Sequence, residues 1–284
     1  MTTAIGALIR AADLSALLGE PQLLIVDCRF DLADTSFGQR AYDEAHLPGA
    51  VYANLDRDLS GPVTAQSGRH PLPSPQAFAA TLARWGVTPA TRIVAYDQGP
   101  GATAARLWWL LRASGHGAVS VLDGGMAAWL AAGFPVTSTT TSRASLTPRA
   151  AQSFEGWLTT DEVRAGLDAA ALLLVDARSA DRFAGRNETI DPVAGHVPGA
   201  VNSPFAGNLG PDGRFLSPAE LAARWRATLG GRTPAEAVMM CGSGITACHN
   251  LLALELAGFA GARLYAGSYS EWIRDSSRPT ATGC

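Results

Sequence analysis

The sequence predicts an α/β protein of two tandem domains, each a mostly parallel sheet flanked by helices. Three observations carry that prediction. At 284 residues the chain has the length of two ordinary domains. It also repeats itself: LLIVDCRF at 23–30 returns as LLLVDARS at 172–179, and AHLPGAV at 45–51 returns as GHVPGAV at 195–201. Within each copy, short apolar runs rich in β-branched residues alternate with helical stretches, the pattern of parallel sheets crossed by helices.

In the first copy the strands are LLIVD (23–27), RIVAY (92–96) and VSVLD (119–123). Helices are expected over 74–87 and 102–115, the first opened by Ser74 as N-cap with Pro75 at its first position. The stretch 137–152, TSTTTSRASLTPRAAQ, is poor in large apolar residues and reads as a linker. The domains are accordingly set at 1–138 and 153–284, with 139–152 between them. The second copy has strands LLLVD (172–176), AVMM (237–240) and ARLYA (262–266). Its helices are expected over 217–230, capped by Ser217 before Pro218, and over 246–259. The copies close alike, VLDGGMAAWLAAGFPV against LYAGSYSEWIRDSSRPT, which pairs Trp129 with Trp272.

Composition excludes several functions. Twenty-two basic against 25 acidic residues leave a net charge of −3, the wrong sign for a nucleic-acid partner held by a basic face. There is no lysine at all, which removes Schiff-base chemistry and the GxxxxGK[ST] phosphate loop. No apolar run reaches the roughly 18 residues of a membrane span, so no membrane partner is expected. MTTAIGALIRAADL lacks the basic cluster and long apolar core of a secretory signal. Four cysteines are too few for a disulfide scaffold. Cys241 and Cys248, seven apart, do not have the CxxC spacing of a zinc site. The expectation is reduced thiols in the cytoplasm, with no metal and no resident cofactor.

The duplication acts as an internal control: shared polar residues belong to the scaffold, and unshared ones are candidates for chemistry. Register taken from Leu107 and Leu251 sets Asp97 opposite Cys241, so only the second copy carries a thiol at that strand end. Cys241 opens the loop CGSGIT, which runs from strand to helix. Such a turn points backbone N–H groups inward, and the helix N-terminus adds partial positive charge, a setting that stabilises a thiolate nucleophile. Gly242 and Gly244 are expected to let the chain curl around the sulfur.

These motifs together, the tandem VDxR, the HxPGA, the Cys-headed loop and the closing GG/GSxxxW, resemble the two-domain rhodanese-type sulfurtransferases over nearly the whole chain. CGSGIT resembles the CGSGVT loop of the branch that uses 3-mercaptopyruvate, whereas thiosulfate-specific members often carry CRKG. The resemblance implies rhodanese-like domains, the first silent and the second active. It implies that Cys241 takes sulfur from a small-molecule donor as a persulfide and passes it to a thiol, a thioredoxin-like protein or cyanide. It assigns Ser243, His70 and Asp56 to a catalytic set beside Cys241, in a cleft shared by the domains. Phe215 and Ala206 stand opposite His70 and Asp56, so neither polar group is repeated. It gives Arg182 the substrate carboxylate, with Gly242, Gly244, Ile245 and Thr246 forming the binding loop. The family's second arginine falls nine residues after Arg182, where this chain has Asp191; Arg186 is the candidate replacement. The alternatives are a thiosulfate:cyanide sulfurtransferase and a sulfur-carrier module that does not turn over. A phosphatase would need CxxxxxR, and the residue six after Cys241 is Ala247.

The remaining polar residues read as structural. Asp27–Arg29 and Asp176–Arg178 recur, as do His46 and His196. Cys248 and His249 lie on the helix after the loop, Trp108 and Trp109 in the core, and Cys28 is a buried bystander. Cys284 is expected to be exposed and oxidisable.

Overall fold

Every neighbouring pair of strands in the computed structural model is parallel, in two five-stranded sheets of identical order. The structure describes residues 6–283, so Cys284 lies outside the described residues. The first sheet comprises β1 (Leu8–Ile9), β2 (Leu23–Asp27), β3 (Ala50–Tyr52), β4 (Arg92–Tyr96) and β5 (Val119–Leu122), ordered β1-β5-β4-β2-β3. The second comprises β6 (Trp157–Leu158), β7 (Leu173–Asp176), β8 (Val201–Asn202), β9 (Ala237–Met240) and β10 (Arg263–Tyr265), ordered β6-β10-β9-β7-β8. Central strands β2, β4, β7 and β9 are almost wholly buried, which is why they read as continuous apolar runs rather than alternating ones. Edge strands β1, β3, β6 and β8, two or three residues each, are too short to leave a periodic signal.

The expected helices occupy Pro75–Arg84, Ala102–Ala113, Pro218–Leu229 and Ile245–Leu256. Ser74 caps the first by accepting from the Ala77 amide, and Ser217 forms a reciprocal capping box with Glu220. The chain divides into two compact units, and the division is not the continuous one drawn from the linker. The first unit holds 1–61, 73–155 and 211–214; the second holds 62–72, 156–210 and 215–284. The SGR stretch of the first copy thus belongs to the second unit, and the DGR stretch of the second copy to the first.

The repeated polar pairs hold loops onto strand ends. In the first unit the buried Arg29 guanidinium donates to both oxygens of Asp27 and to the Ala45 carbonyl; in the second, Arg178 treats Asp176 and the Gly195 carbonyl in the same way. His46 stacks on Tyr42 with its Nδ1 2.6 Å from the Tyr42 carbonyl. His196 stacks on Phe183 and bonds its carbonyl likewise. Trp129 and Trp272 anchor the two apolar cores. Trp108, Trp109, Cys28 and Cys248 are buried, and the Cys248 thiol lies 3.2 Å from the Gly244 carbonyl.

Candidate active site

In the second unit β9 ends at Met240, and Cys241 begins a tight turn into the helix Ile245–Leu256. The loop carbonyls are turned outward and satisfied: Cys241 accepts from the Tyr269 amide and Gly242 from the Ser270 amide. The amides consequently face inward. Ser243 N lies 3.4 Å and Gly244 N 3.0 Å from Cys241 Sγ, which sets partial positive charge against the sulfur. Those are the loop amides bonded to Sγ; Ile245 and Thr246 open the helix, Ile245 buried and Thr246 half-buried.

The two loop glycines act differently. Gly244 has φ +81°, and a Cβ there would sit 2.4 Å from the Ala266 carbonyl oxygen, so only glycine fits. Gly242 is not in the left-handed region; a Cβ there would meet Arg69 Nη2 at 2.7 Å and Arg182 Nη2 at 3.5 Å. Its expected part in curling the chain is therefore replaced by another: it leaves room for two guanidinium groups. The Cys241 amide donates to Ser268 Oγ at 3.0 Å. Ser268 is fully buried at φ +53°, a costly conformation for a residue with a Cβ. Its counterpart in the first copy is Gly125, at φ +54°. The offset between Trp129 and Trp272 pairs these residues, so the change from GG to GS was a readable signal.

His70 belongs to the second unit, and its Nδ1 lies 2.8 Å from Ser243 Oγ, both residues buried. The segment before it is fastened by the Arg69 amide to Ser270 Oγ, the Gly68 amide to Glu271, and the Arg274 side chain to the Ser67 carbonyl. Asp56 lies in the first unit, on the short helix Leu55–Asp58, and is exposed; the buried acid of that helix is Asp58, held by Arg57 and Arg84.

Arg182 reaches the Gly242 position with Nε on both oxygens of Glu188 and Nη2 on Asp191 at 2.8 Å. Arg186, the expected second arginine, is instead a surface residue: its guanidinium lies along Asp181, with 60% of the side chain exposed. The second guanidinium over Gly242 is that of Arg69, which pairs with the other oxygen of Asp191. Glu188 is pushed up by burial but more strongly down by Arg182 and by the amides of Asp191 and Ile190, so it stays below the usual carboxylate range.

The first unit carries the same turn with a different occupant. Asp97 follows β4 as Cys241 follows β9, and its carbonyl accepts from Met126 as that of Cys241 does from Tyr269. The Asp97 carboxylate receives the amides of Gly99, Gly101, Thr103 and Ala104 and the Thr103 hydroxyl. The helices after the two turns start at Ala102 and Ile245, so the first loop is one residue longer. The Asp97–Cys241 pairing rests on strand ends, not on the leucines.

A model of the rhodanese-like domain matches the chain twice, over residues 10–132 and 159–275. The chain belongs to the rhodanese-like family. Full-length relatives agree: a Pseudomonas aeruginosa protein named "Probable 3-mercaptopyruvate sulfurtransferase" is 52% identical, covering 97% of this chain and 98% of its own. The bovine protein named thiosulfate sulfurtransferase is 34% identical over 89% of this chain and 86% of its own. The solved 3-mercaptopyruvate sulfurtransferase from Leishmania major superposes with a TM-score of 0.84 at 31% identity, covering 94% of this chain and 74% of that one. This rhodanese-like protein is accordingly a sulfurtransferase. Among the described residues no helix is long and apolar enough to cross a membrane, and no group of three or more His, Cys, Asp or Glu side chains could hold a metal ion.

Proposed function

We propose that the protein is a 3-mercaptopyruvate sulfurtransferase working through a persulfide on Cys241. The observation that carries this reading is the pair of amides, Ser243 N and Gly244 N, directed at Sγ beside the His70–Ser243 contact. The Cys241 thiolate attacks the donor sulfur, a sulfur–sulfur bond forms, and the donor's carbon–sulfur bond breaks toward carbon. The products are the persulfide anion and pyruvate enolate, which takes up the proton given by the donor thiol to become pyruvate. His70 and Ser243 are placed to move that proton, and the two amides to hold negative charge on the outer sulfur. The persulfide then gives its outer sulfur to a thiol, a thioredoxin-like protein or cyanide, in a reducing cytoplasm and without a resident cofactor. The family resemblance gives Asp56 a supporting part, measured by Asp56→Asn.

Cys241→Ser should abolish pyruvate release from 3-mercaptopyruvate, and the wild-type protein incubated with donor should gain one sulfur atom at Cys241 by intact mass. Pyruvate release by the serine variant would refute the mechanism. Thiosulfate as donor is the second reading, favoured by the 34% identity to the bovine protein named thiosulfate sulfurtransferase. The ratio of kcat/KM for the two donors decides between them, and a strong preference for thiosulfate overturns the first choice.

A further inference from the structure

The structure assigns to Arg69 a part that the family pattern places elsewhere: with Arg182 it forms the two-guanidinium seat for the donor's carboxylate, and Asp191 bridges the pair. The inference rests on the mercaptopyruvate reading and adds a specificity-determining residue to it.

Both guanidiniums converge on Gly242, the residue after the nucleophile, so close that a methyl group there would touch Arg69. Asp191, its side chain fully buried, takes Arg69 on one oxygen and Arg182 on the other. Asp191 thereby holds a cation that arrives from a distant segment, 122 residues away along the chain. Glu188 fixes Arg182 from the far side and accepts the Ile190 and Asp191 amides, which makes the 188–191 turn a rigid base for the pair.

Neither arginine is used up by these partners. Arg182 spends Nε and Nη2 on Glu188 and Asp191, leaving Nη1 beside Gly242. Arg69 spends Nη1 on Asp191, while its Nε is buried with no hydrogen-bond partner and its Nη2 faces Gly242. A buried, unmatched guanidinium N–H is costly to leave unmade. Arg69 Nη2 and Arg182 Nη1 lie 2.7 and 3.6 Å from the point a Gly242 Cβ would occupy, beside the residue that carries the reactive sulfur, an arrangement suited to the two oxygens of a carboxylate.

Charge favours a carboxylate over a dianion. Arg69, Arg178 and Arg182 are matched by Asp176, Asp191 and Glu188, so this cluster offers directed donors rather than surplus positive charge. Directed N–H groups select a planar monoanion; a dianion would gain most from unmatched cations.

The test separates this seat from the reaction. Pyruvate is titrated calorimetrically into the Cys241→Ser protein with and without Arg69→Met, and the Kd should rise at least about tenfold in the double variant. Unchanged affinity, or no pyruvate binding by Cys241→Ser itself, overturns the assignment. Arg69→Lys, which keeps the charge without the fork, should also bind weakly; it stands in if Arg69→Met fails to fold, and wild-type affinity in it would equally overturn the seat. In turnover, Arg69→Met should raise KM for 3-mercaptopyruvate and leave kcat/KM for mercaptoacetone, which lacks the carboxylate, within about twofold. Equal losses with both donors would mean a structural role and refute the proposal. Failure of the wild-type protein to use 3-mercaptopyruvate would overturn the donor reading, while the pyruvate titration still decides Arg69.

Discussion

Substituting the two loop glycines separates backbone geometry from side-chain crowding. In Gly244→Ala the new Cβ would lie 2.4 Å from the Ala266 carbonyl oxygen at φ +81°. Holding a non-glycine residue in that region costs about 1–2 kcal/mol, and relieving overpacking against backbone costs about 1–3 kcal/mol more. A loss of about 2–5 kcal/mol should lower the melting temperature of the second unit by on the order of 10 °C. Because the Gly244 amide is one of the two on Sγ, sulfur transfer should fall as well. In Gly242→Ala the Cβ meets the far end of the Arg69 side chain at 2.7 Å, with no left-handed backbone. Stability there should change by less than about 1 kcal/mol, since a compatible Gly→Ala exchange also stiffens the unfolded chain. Its damage should appear as a raised KM for donor. Calorimetric melting of both variants alongside a pyruvate-release assay checks the pair. Equal destabilisation of the two, or a Gly244→Ala protein as stable as wild type, would refute the argument.

Three further outcomes are expected. If His70, which faces Ser243, is the proton-transfer group of the proposed mechanism, His70→Ala should lower kcat by about 10²–10⁴ while still accepting sulfur slowly, as read by stopped-time pyruvate assays. Cys28, pushed well above the usual thiol range by burial and by the carboxylates of Asp27, Asp97 and Asp58, should resist iodoacetamide at pH 8 in the native protein and react on unfolding, as read by peptide mass mapping. His116 is held below its ordinary value by burial, against the bond its Nε2 donates to the Thr91 carbonyl. Its contribution to stability is therefore full above about pH 6.5 and lost as pH falls through the lower folded value; urea titrations should show that acid-side slope reduced in His116→Asn.

The repeat, the six strands inside the sheet edges, the four long helices and both serine caps were legible because each rests on local chemistry: continuous apolar runs, or a hydroxyl ahead of a proline. The contact of His70 with Ser243, 173 residues apart, was accessible only through the family pattern. Arg69 escaped for a definite reason. Sorting by repetition discards shared residues, and Arg69 has Arg214 as its counterpart in the aligned SGR and DGR stretches. The two have diverged in company rather than in kind: Arg69 lies against Gly242, and Arg214 against Gly124. Asp191 read as a missing cation because its value lies in what it holds, which no residue name conveys. The part first given to Gly242 was wrong in its physics, since a glycine can be needed for space beside it rather than for its own backbone angles.

The Asp97 carboxylate is tied down by the amides of its own turn, at the position where the second repeat carries a thiol with two amides on its sulfur. Thiol-directed oxidants and alkylating agents find no sulfur to modify at that turn. Swapping in a cysteine at 97 would not awaken a second centre either. The longer turn would bring its amides to the new sulfur in a different register, and Gly125 has no hydroxyl to accept the amide of residue 97 as Ser268 accepts that of Cys241. Under the proposed function, the silence of that half would rest on several independent points, which no single reversion restores.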